Sequence, residues 1–340
     1  MKRSEIGSEF WDAFVSEREN TIFANDVKWF LSGRVALRYI LEDISEKGGI
    51  KTVALPSWCC DSMIIPFIDM GIDVSFYSVY VENGMLKQDI RQCFNCDALL
   101  VMDYFGYVGF IDCSEFHGIV IRDVTHSVFS NAYTDADYYF GSARKWSGLW
   151  TGGFAWSKDK WVAKKYVLEI DYEYIDLREQ AMKEKAKYID GCSNSKEYLL
   201  RFARAEEILD SKSKVQDAAD RDIYCARHLD VENMKAKRRQ NAKALLEHLS
   251  NVAIFPTVKD NDCPLFVPIL VPNGKRNELR KFLIQNEVFC PVHWPVTEYH
   301  QLDDKTKKLY DEELSIVCDQ RYNINDMNRI CQLIAIFMGE

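Results

Sequence analysis

Ala136-Asp137-Tyr138-Tyr139-Phe140-Gly141-Ser142-Ala143-Arg144-Lys145-Trp146-Ser147-Gly148-Leu149-Trp150-Thr151-Gly152-Gly153-Phe154 is the stretch on which the reading of this chain turns. It sets one lysine among Ser, Trp and Gly residues, between two segments of strand character. An aromatic, partly dry setting of that kind can lower a lysine's pKa and make its amine a nucleophile toward carbonyls. A surface lysine beside a turn has the same local composition, so the stretch alone leaves both readings open. Upstream, Ile119-Val120-Ile121-Arg122 reads as a strand ending at Asp123, with Thr125 and His126 just beyond it. An acid at the carboxyl end of a buried strand is placed to face a ligand. It serves equally well as a turn or helix-cap residue.

Outward from this pair, residues 30 to 157 alternate amphipathic stretches with short apolar runs, the pattern of βα units around a mostly parallel sheet. Thr52–Leu55, Val74–Tyr77, Ala98–Met102, Ile119–Arg122 and Phe154–Trp156 are the predicted strands. Ser32-Gly33-Arg34-Val35-Ala36-Leu37 reads as a small-residue turn opening a helix, the arrangement in which backbone N–H groups and the helix dipole bind phosphate. Any helix start with a glycine looks similar. From 158 the texture becomes Lys, Glu, Ala and Leu at helical spacing, and its mixed charges read as a solvated face. The C-terminal part returns to mixed texture, with a strand at Leu265–Val271 and a helix at Asn277–Gln285. The predicted organisation is α/β: a large domain over 1–230, helical over 158–230, and a smaller α+β domain over 231–340.

Composition narrows the function. The chain has 340 residues, 47% hydrophobic and 28% charged, and no apolar run approaches the ~20 residues needed to cross a bilayer. Its start lacks the apolar run of a signal peptide, so a cytoplasmic protein is expected. A net charge of −9 repels polyanions, which argues against a nucleic-acid partner. Eleven cysteines are scattered along the chain and are expected to be reduced. The Cys93/Cys96 pair has no second pair to complete a zinc site, so no metal is assigned. Neither GxGxxG nor GxxxxGK[ST] occurs, which removes the common nucleotide-binding folds.

Taken together, Ser32–Leu37, Leu55-Pro56-Ser57-Trp58, Asp103-Tyr104-Phe105-Gly106, Asp123-Val124-Thr125-His126-Ser127, Ser142-Ala143-Arg144-Lys145, Gly152-Gly153 and Leu314–Asp319 resemble the DegT/DnrJ/EryC1/StrS family. These are sugar aminotransferases of fold type I that use pyridoxal 5′-phosphate, and the resemblance runs from about 30 to 335. It implies Lys145 as the Schiff-base lysine and proton shuttle, and Asp123 as the partner of the pyridine nitrogen. It implies His126 on the phenolic oxygen, and Gly33, Arg34 and Val35 amides with the Ser142 hydroxyl on the phosphate. Trp58 is the candidate to lie against the ring, or else a core aromatic. Arg321 and His293 are candidate substrate residues, Arg321 as a two-pronged clamp for an anion. The implied activity is transfer of an amino group from an amino acid such as glutamate to a keto acceptor, typically a nucleotide-linked keto sugar, by a homodimer. The Ser-x-x-Lys interval also resembles cysteine desulfurase-like relatives, for which Cys290 or Cys318 would have to supply the nucleophile. A lyase, or a non-catalytic binding protein on the same fold, completes the alternatives.

Overall fold

The computed structural model describes residues 4–23, 26–82, 84–109, 111–130, 136–164, 170–211 and 214–339. In chain order its elements begin with β1 (Ile6–Gly7), β2 (Lys28–Phe30), α1 (Gly33–Glu46), β3 (Thr52–Pro56), α2 (Asp61–Asp69), β4 (Asp73–Tyr77), β5 (Val79–Glu82) and β6 (Met85–Gln88). Next come β7 (Ala98–Met102), β8 (Ile119–Asp123), β9 (Tyr138–Ser142), β10 (Gly153–Ser157), α3 (Tyr172–Ile189), α4 (Tyr198–Asp210), α5 (Asp220–Arg227) and α6 (Val231–Leu249). The remainder are β11 (Phe266–Leu270), α7 (Arg276–Gln285), β12 (Val288–Phe289), α8 (Asp304–Glu312), β13 (Glu313–Val317) and α9 (Ile324–Met338). The chain divides into two compact units, one of Met1–Glu5, Glu9–Gly49 and Tyr138–Asp230, the other of Ile6–Ser8, Ile50–Asp137 and Val231–Glu340.

In the second unit the apolar runs build parallel strands in the order β8, β7, β3, β4. Ala-Leu-Leu-Val-Met of β7 is buried at every position, as a strand covered on both faces must be. The register pairs Met102 with Asp123, so the carboxyl ends of β7 and β8 lie side by side. Alternation along β8 sends Arg122 and Asp123 to opposite faces. Residues from 231 onward add β11 paired antiparallel with β13. Around that pair, Leu245, Val267, Ile269, Leu279, Leu283, Ile316, Met327 and Ile330 form one apolar cluster, which Ile6 joins through the β1–β12 pairing.

The first unit holds β2, β10 and β9, paired antiparallel. α1 begins where Ser32, in extended backbone, accepts the Val35 amide on its hydroxyl at 3.3 Å. Asp43, near the other end of α1, is fully buried and accepts the Val162 and Ala163 amides at 2.6 and 2.7 Å and the Tyr138 hydroxyl at 2.7 Å. Lys47 stands 2.8 Å away. Burial works to raise this carboxyl's pKa, and the Lys47, Ala163, Tyr138 and Val162 hydrogen bonds outweigh it, so the carboxyl is held below its ordinary value.

α3 packs on α4 through Ala181, Met182, Tyr188, Ile189, Tyr198 and Phe202. Their charges correct the expectation of a solvated face. Arg178 and Lys185 are buried, because Arg178 meets Glu9 and Glu206 and Lys185 meets Glu5. Buried cations of this kind persist only when paired. Architecture and order are those of an α/β fold, as the alternation over 30–157 predicts. Among the described residues no helix is long and apolar enough to cross a membrane.

Candidate active site

In the first unit the site starts from glycines that let backbones meet. A Cβ on Gly153 would sit 2.0 Å from the Ser32 carbonyl oxygen, so only glycine lets the start of β10 lie against the cap of α1. Gly152 has φ +136°, a conformation that side chains rarely adopt, and its carbonyl accepts the Ala143 amide at 2.8 Å. That bond pins the 3₁₀ turn Ala143–Lys145, which Ser142 opens. Gly33 approaches the same strand end: its Cβ would stand 3.4 Å from the Gly141 carbonyl and 3.5 Å from Ser142 Cβ. The Gly33 and Arg34 amides open α1, where helix geometry supplies no intrahelical acceptor. The start of α1, Ser142 and the lysine turn are thus one piece of backbone architecture.

The neighbours on that turn point different ways. Arg144 turns inward and donates to the Tyr174 hydroxyl at 2.7 Å and Glu206 at 2.6 Å, which ties the turn to α3 and α4. Lys145 is exposed. Partial desolvation works to raise the Glu9 carboxyl, but Arg178, Arg144, Lys145 and Lys185 together hold it at about 2. Arg34 donates to Asp210, to its carbonyl at 2.9 Å and its carboxylate at 3.0 Å, so its side chain braces α1 against the end of α4.

In the second unit Asp123 is buried at the end of β8 and accepts the Thr125 amide at 2.7 Å. On the opposite face Arg122 donates to Asp103 at 2.6 Å, and the Ser127 hydroxyl donates to the other Asp103 oxygen at 2.9 Å. This pair ties the turn after β8 to the end of β7. His126 is buried, and its Nδ1 accepts the Phe105 amide at 3.3 Å, a bond that assigns the proton of the neutral ring to Nε2. Gly106 (φ +78°) completes that turn, and a Cβ there would fall 1.9 Å from the Cys263 carbonyl.

Trp58 is fully buried, stacks on Tyr104 with centroids 5.0 Å apart and planes 12° apart, and donates its Nε1–H to the His293 carbonyl at 2.7 Å. Trp294 is the aromatic that stacks on His126, at 5.8 Å and 18°. His293 stands edge-on to His126, Phe105 and Trp294. Asp123, His126, Trp58 and His293 therefore share the second unit, and the last three share one aromatic cluster. Arg321 lies elsewhere in that unit: its side chain is 3% exposed, and its guanidinium is closed on both Asp319 oxygens, at 2.9 and 2.8 Å, and on the Ser8 carbonyl. The fork expected to meet an external anion is occupied by Asp319. The sequence names His293 but misses Glu313 and Ser315, which hold it; their period-2 spacing on one strand is the signal that could have found them.

Two thiols bear on the chemistry. Cys290 and Cys318 are buried, and burial pushes Cys290 up to about 12 and Cys318 further still. Neither is a thiolate near neutral pH.

No protein-family model and no curated protein matches the chain. Solved structures do. PseC of Helicobacter pylori, an aminotransferase involved in the biosynthesis of pseudoaminic acid, is 14% identical with a TM-score of 0.64 over 92% of this chain and 87% of its own. A DegT DnrJ EryC1 StrS aminotransferase from Brucella abortus is 15% identical with a TM-score of 0.62, over 92% and 86%. The sugar aminotransferase CalS13 from Micromonospora echinospora is 13% identical with a TM-score of 0.61, over 98% and 99%. The strand ends, the lysine turn and the glycine contacts thus stand on a fold that this chain shares, over most of its length, with solved structures named as aminotransferases.

Proposed function

We propose that this protein is a pyridoxal 5′-phosphate-dependent aminotransferase. It moves an amino group from an amino acid such as glutamate to a keto acceptor, and a nucleotide-linked keto sugar is the acceptor we favour. The observations that carry this reading are a lysine on a pinned turn after β9 and a buried acid ending β8, on a fold shared with solved structures named as aminotransferases, sugar aminotransferases among them.

The residues fit the cofactor. The amides opening α1 and the Ser142 hydroxyl suit a phosphate. Asp123, buried at the end of β8, suits a protonated ring nitrogen. His126 offers an Nε2–H to the phenolic oxygen, and Lys145 a primary amine to the aldehyde. When bound, the cofactor supplies a carbonyl that takes up amines and a ring that accepts electrons. Asp123 keeps the proton on the ring nitrogen, which such electron acceptance requires. Lys145 takes a proton from the substrate carbon and returns it, and Arg144 fixes the turn from which it does so. Protonated, buried thiols at Cys290 and Cys318 favour amino transfer over a desulfurase-like reaction. The resemblance to fold-type-I aminotransferases supports a homodimer.

Coupled assays with glutamate and a nucleotide-linked keto sugar test the reading. Lys145→Ala should abolish transfer while leaving the far-ultraviolet spectrum unchanged. Undiminished transfer by that variant would overturn the assignment of the lysine.

A further inference from the structure

Glu313 opens β13 and Ser315 stands two residues on, so the pleat turns both toward one face. Glu313 is fully buried, and its two oxygens take different partners. Oε2 accepts the His293 amide at 2.7 Å, and Oε1 meets the Ser315 hydroxyl at 2.5 Å. Ser315 Oγ lies 2.8 Å from His293 Nδ1. A hydroxyl carries one proton and donates in one direction only. With Glu313 ionised, Ser315 donates to Oε1 and Nδ1 donates to Ser315, so the imidazole proton sits on Nδ1. With Oε1 protonated, Glu313 donates to Ser315 and Ser315 donates to Nδ1, so the proton must sit on Nε2.

We propose that Glu313, Ser315 and His293 form a proton wire in which the charge state of Glu313 decides which nitrogen of His293 carries the proton. Glu313 and Ser315 are positioning residues, and His293 is the end of the wire that meets the substrate; that last clause rests on the aminotransferase reading, whereas the wire does not. In one passage Nε2 gains a proton, Nδ1 passes its own to Ser315 Oγ, and Ser315 passes its own to Glu313 Oε1. Two N–H or O–H bonds break inside the wire, two form inside it, and the entering proton ends as one neutral carboxyl. The reverse passage returns it.

Burial pushes the Glu313 carboxyl up to about 8, against the Ser315 and His293 hydrogen bonds and the charge of Arg276. The titratable or charged groups facing it are Arg276 from α7, which donates to the Glu313 carbonyl at 3.1 Å, and Cys290 and His293 from the segment after β12. His293 itself faces Glu313 and His126. As pH rises through the Glu313 titration, the His293 proton should therefore move from Nε2 to Nδ1.

Long-range proton–nitrogen spectra of the full chain, labelled at histidine and free of cofactor, read this directly, with His293→Gln used to assign the signal. The expected result for the wild type is an exchange of the two nitrogen shifts across that titration. In Glu313→Gln the amide N–H₂ replaces the acid proton, so the proton should stay on Nε2 at every pH. In Ser315→Ala the link is cut and the exchange should be lost; should Glu313→Gln not fold, this variant decides alone. A wild-type ring that keeps one tautomer throughout, or an exchange that survives Ser315→Ala, would overturn the wire. These spectra need no turnover, so a protein that shows the exchange but transfers no amino group would refute the aminotransferase reading and leave the wire standing.

Discussion

Removing the Arg122 guanidinium should loosen the strand ends that carry Asp123 and His126. Arg122 is 1% exposed and stands 2.6 Å from Asp103, whose other oxygen has the Ser127 hydroxyl. Arg122→Met keeps the chain length and the apolar stem but leaves Asp103 as a buried carboxylate with a hydroxyl for company. An uncompensated charge of this kind costs about 3–5 kcal/mol. At a slope of about 3 kcal/mol per M, the urea midpoint should fall by roughly 1 M or more. Replacing both partners, as Arg122→Met with Asp103→Leu, removes the charge with its counter-charge, and apolar replacements of buried pairs are often neutral or stabilising. The double variant should thus regain most of the loss. Urea unfolding of the wild type, Arg122→Met, Asp103→Leu and the double variant, followed by fluorescence and circular dichroism, completes the cycle. A single variant that unfolds at the wild-type midpoint, or a double variant no more stable than the single, would refute the claim that the ion pair holds these ends.

Further expectations concern other parts of the fold. Asp43→Asn should destabilise the first unit by on the order of 3 kcal/mol near neutral pH, because four donors including Lys47 converge on this buried carboxylate. The folded carboxyl titrates below its unfolded value, so its contribution is present above the unfolded pKa and fades as pH falls through the folded one; thermal melts of wild type and variant should converge in acid, and a gap independent of pH would count against this cause. Cys290→Ala and Cys318→Ala should each retain amino transfer in the coupled assay, since neither buried thiol takes part; loss of turnover with the fold intact would revive the desulfurase-like reading.

What the sequence showed and hid follows from where each signal resides. Ala98–Met102 was legible as a buried parallel strand because burial on both faces leaves no polar position to blur it, and Ile119-Val120-Ile121 carries the same apolar signal up to Arg122. Ser32 was legible as a helix start because cap chemistry is local. The hairpin of β5 and β6 was missed, since Val-Tyr-Val-Glu and Met-Leu-Lys-Gln are half-exposed and carry little pattern. Charges were read less well than apolar residues. Arg178 and Lys185 occur at helical spacing among solvated neighbours, and only the fold brings Glu5, Glu9 and Glu206 to them. Arg321 looked like a clamp because its partner, Asp319, reaches it by a turn of the backbone that spacing does not reveal. Glu313 and Ser315 matter through His293, about twenty residues away in sequence and one hydrogen bond away in space.

Lys145 is the proposed attachment point of pyridoxal phosphate. Borohydride reduction of the protein mixed with the cofactor, followed by peptide mass mapping, tests it most directly. The expected result is a visible absorption band that reduction abolishes, and a single phosphopyridoxyl adduct on the peptide containing Lys145. No band and no adduct, or an adduct confined to another lysine, would contradict it.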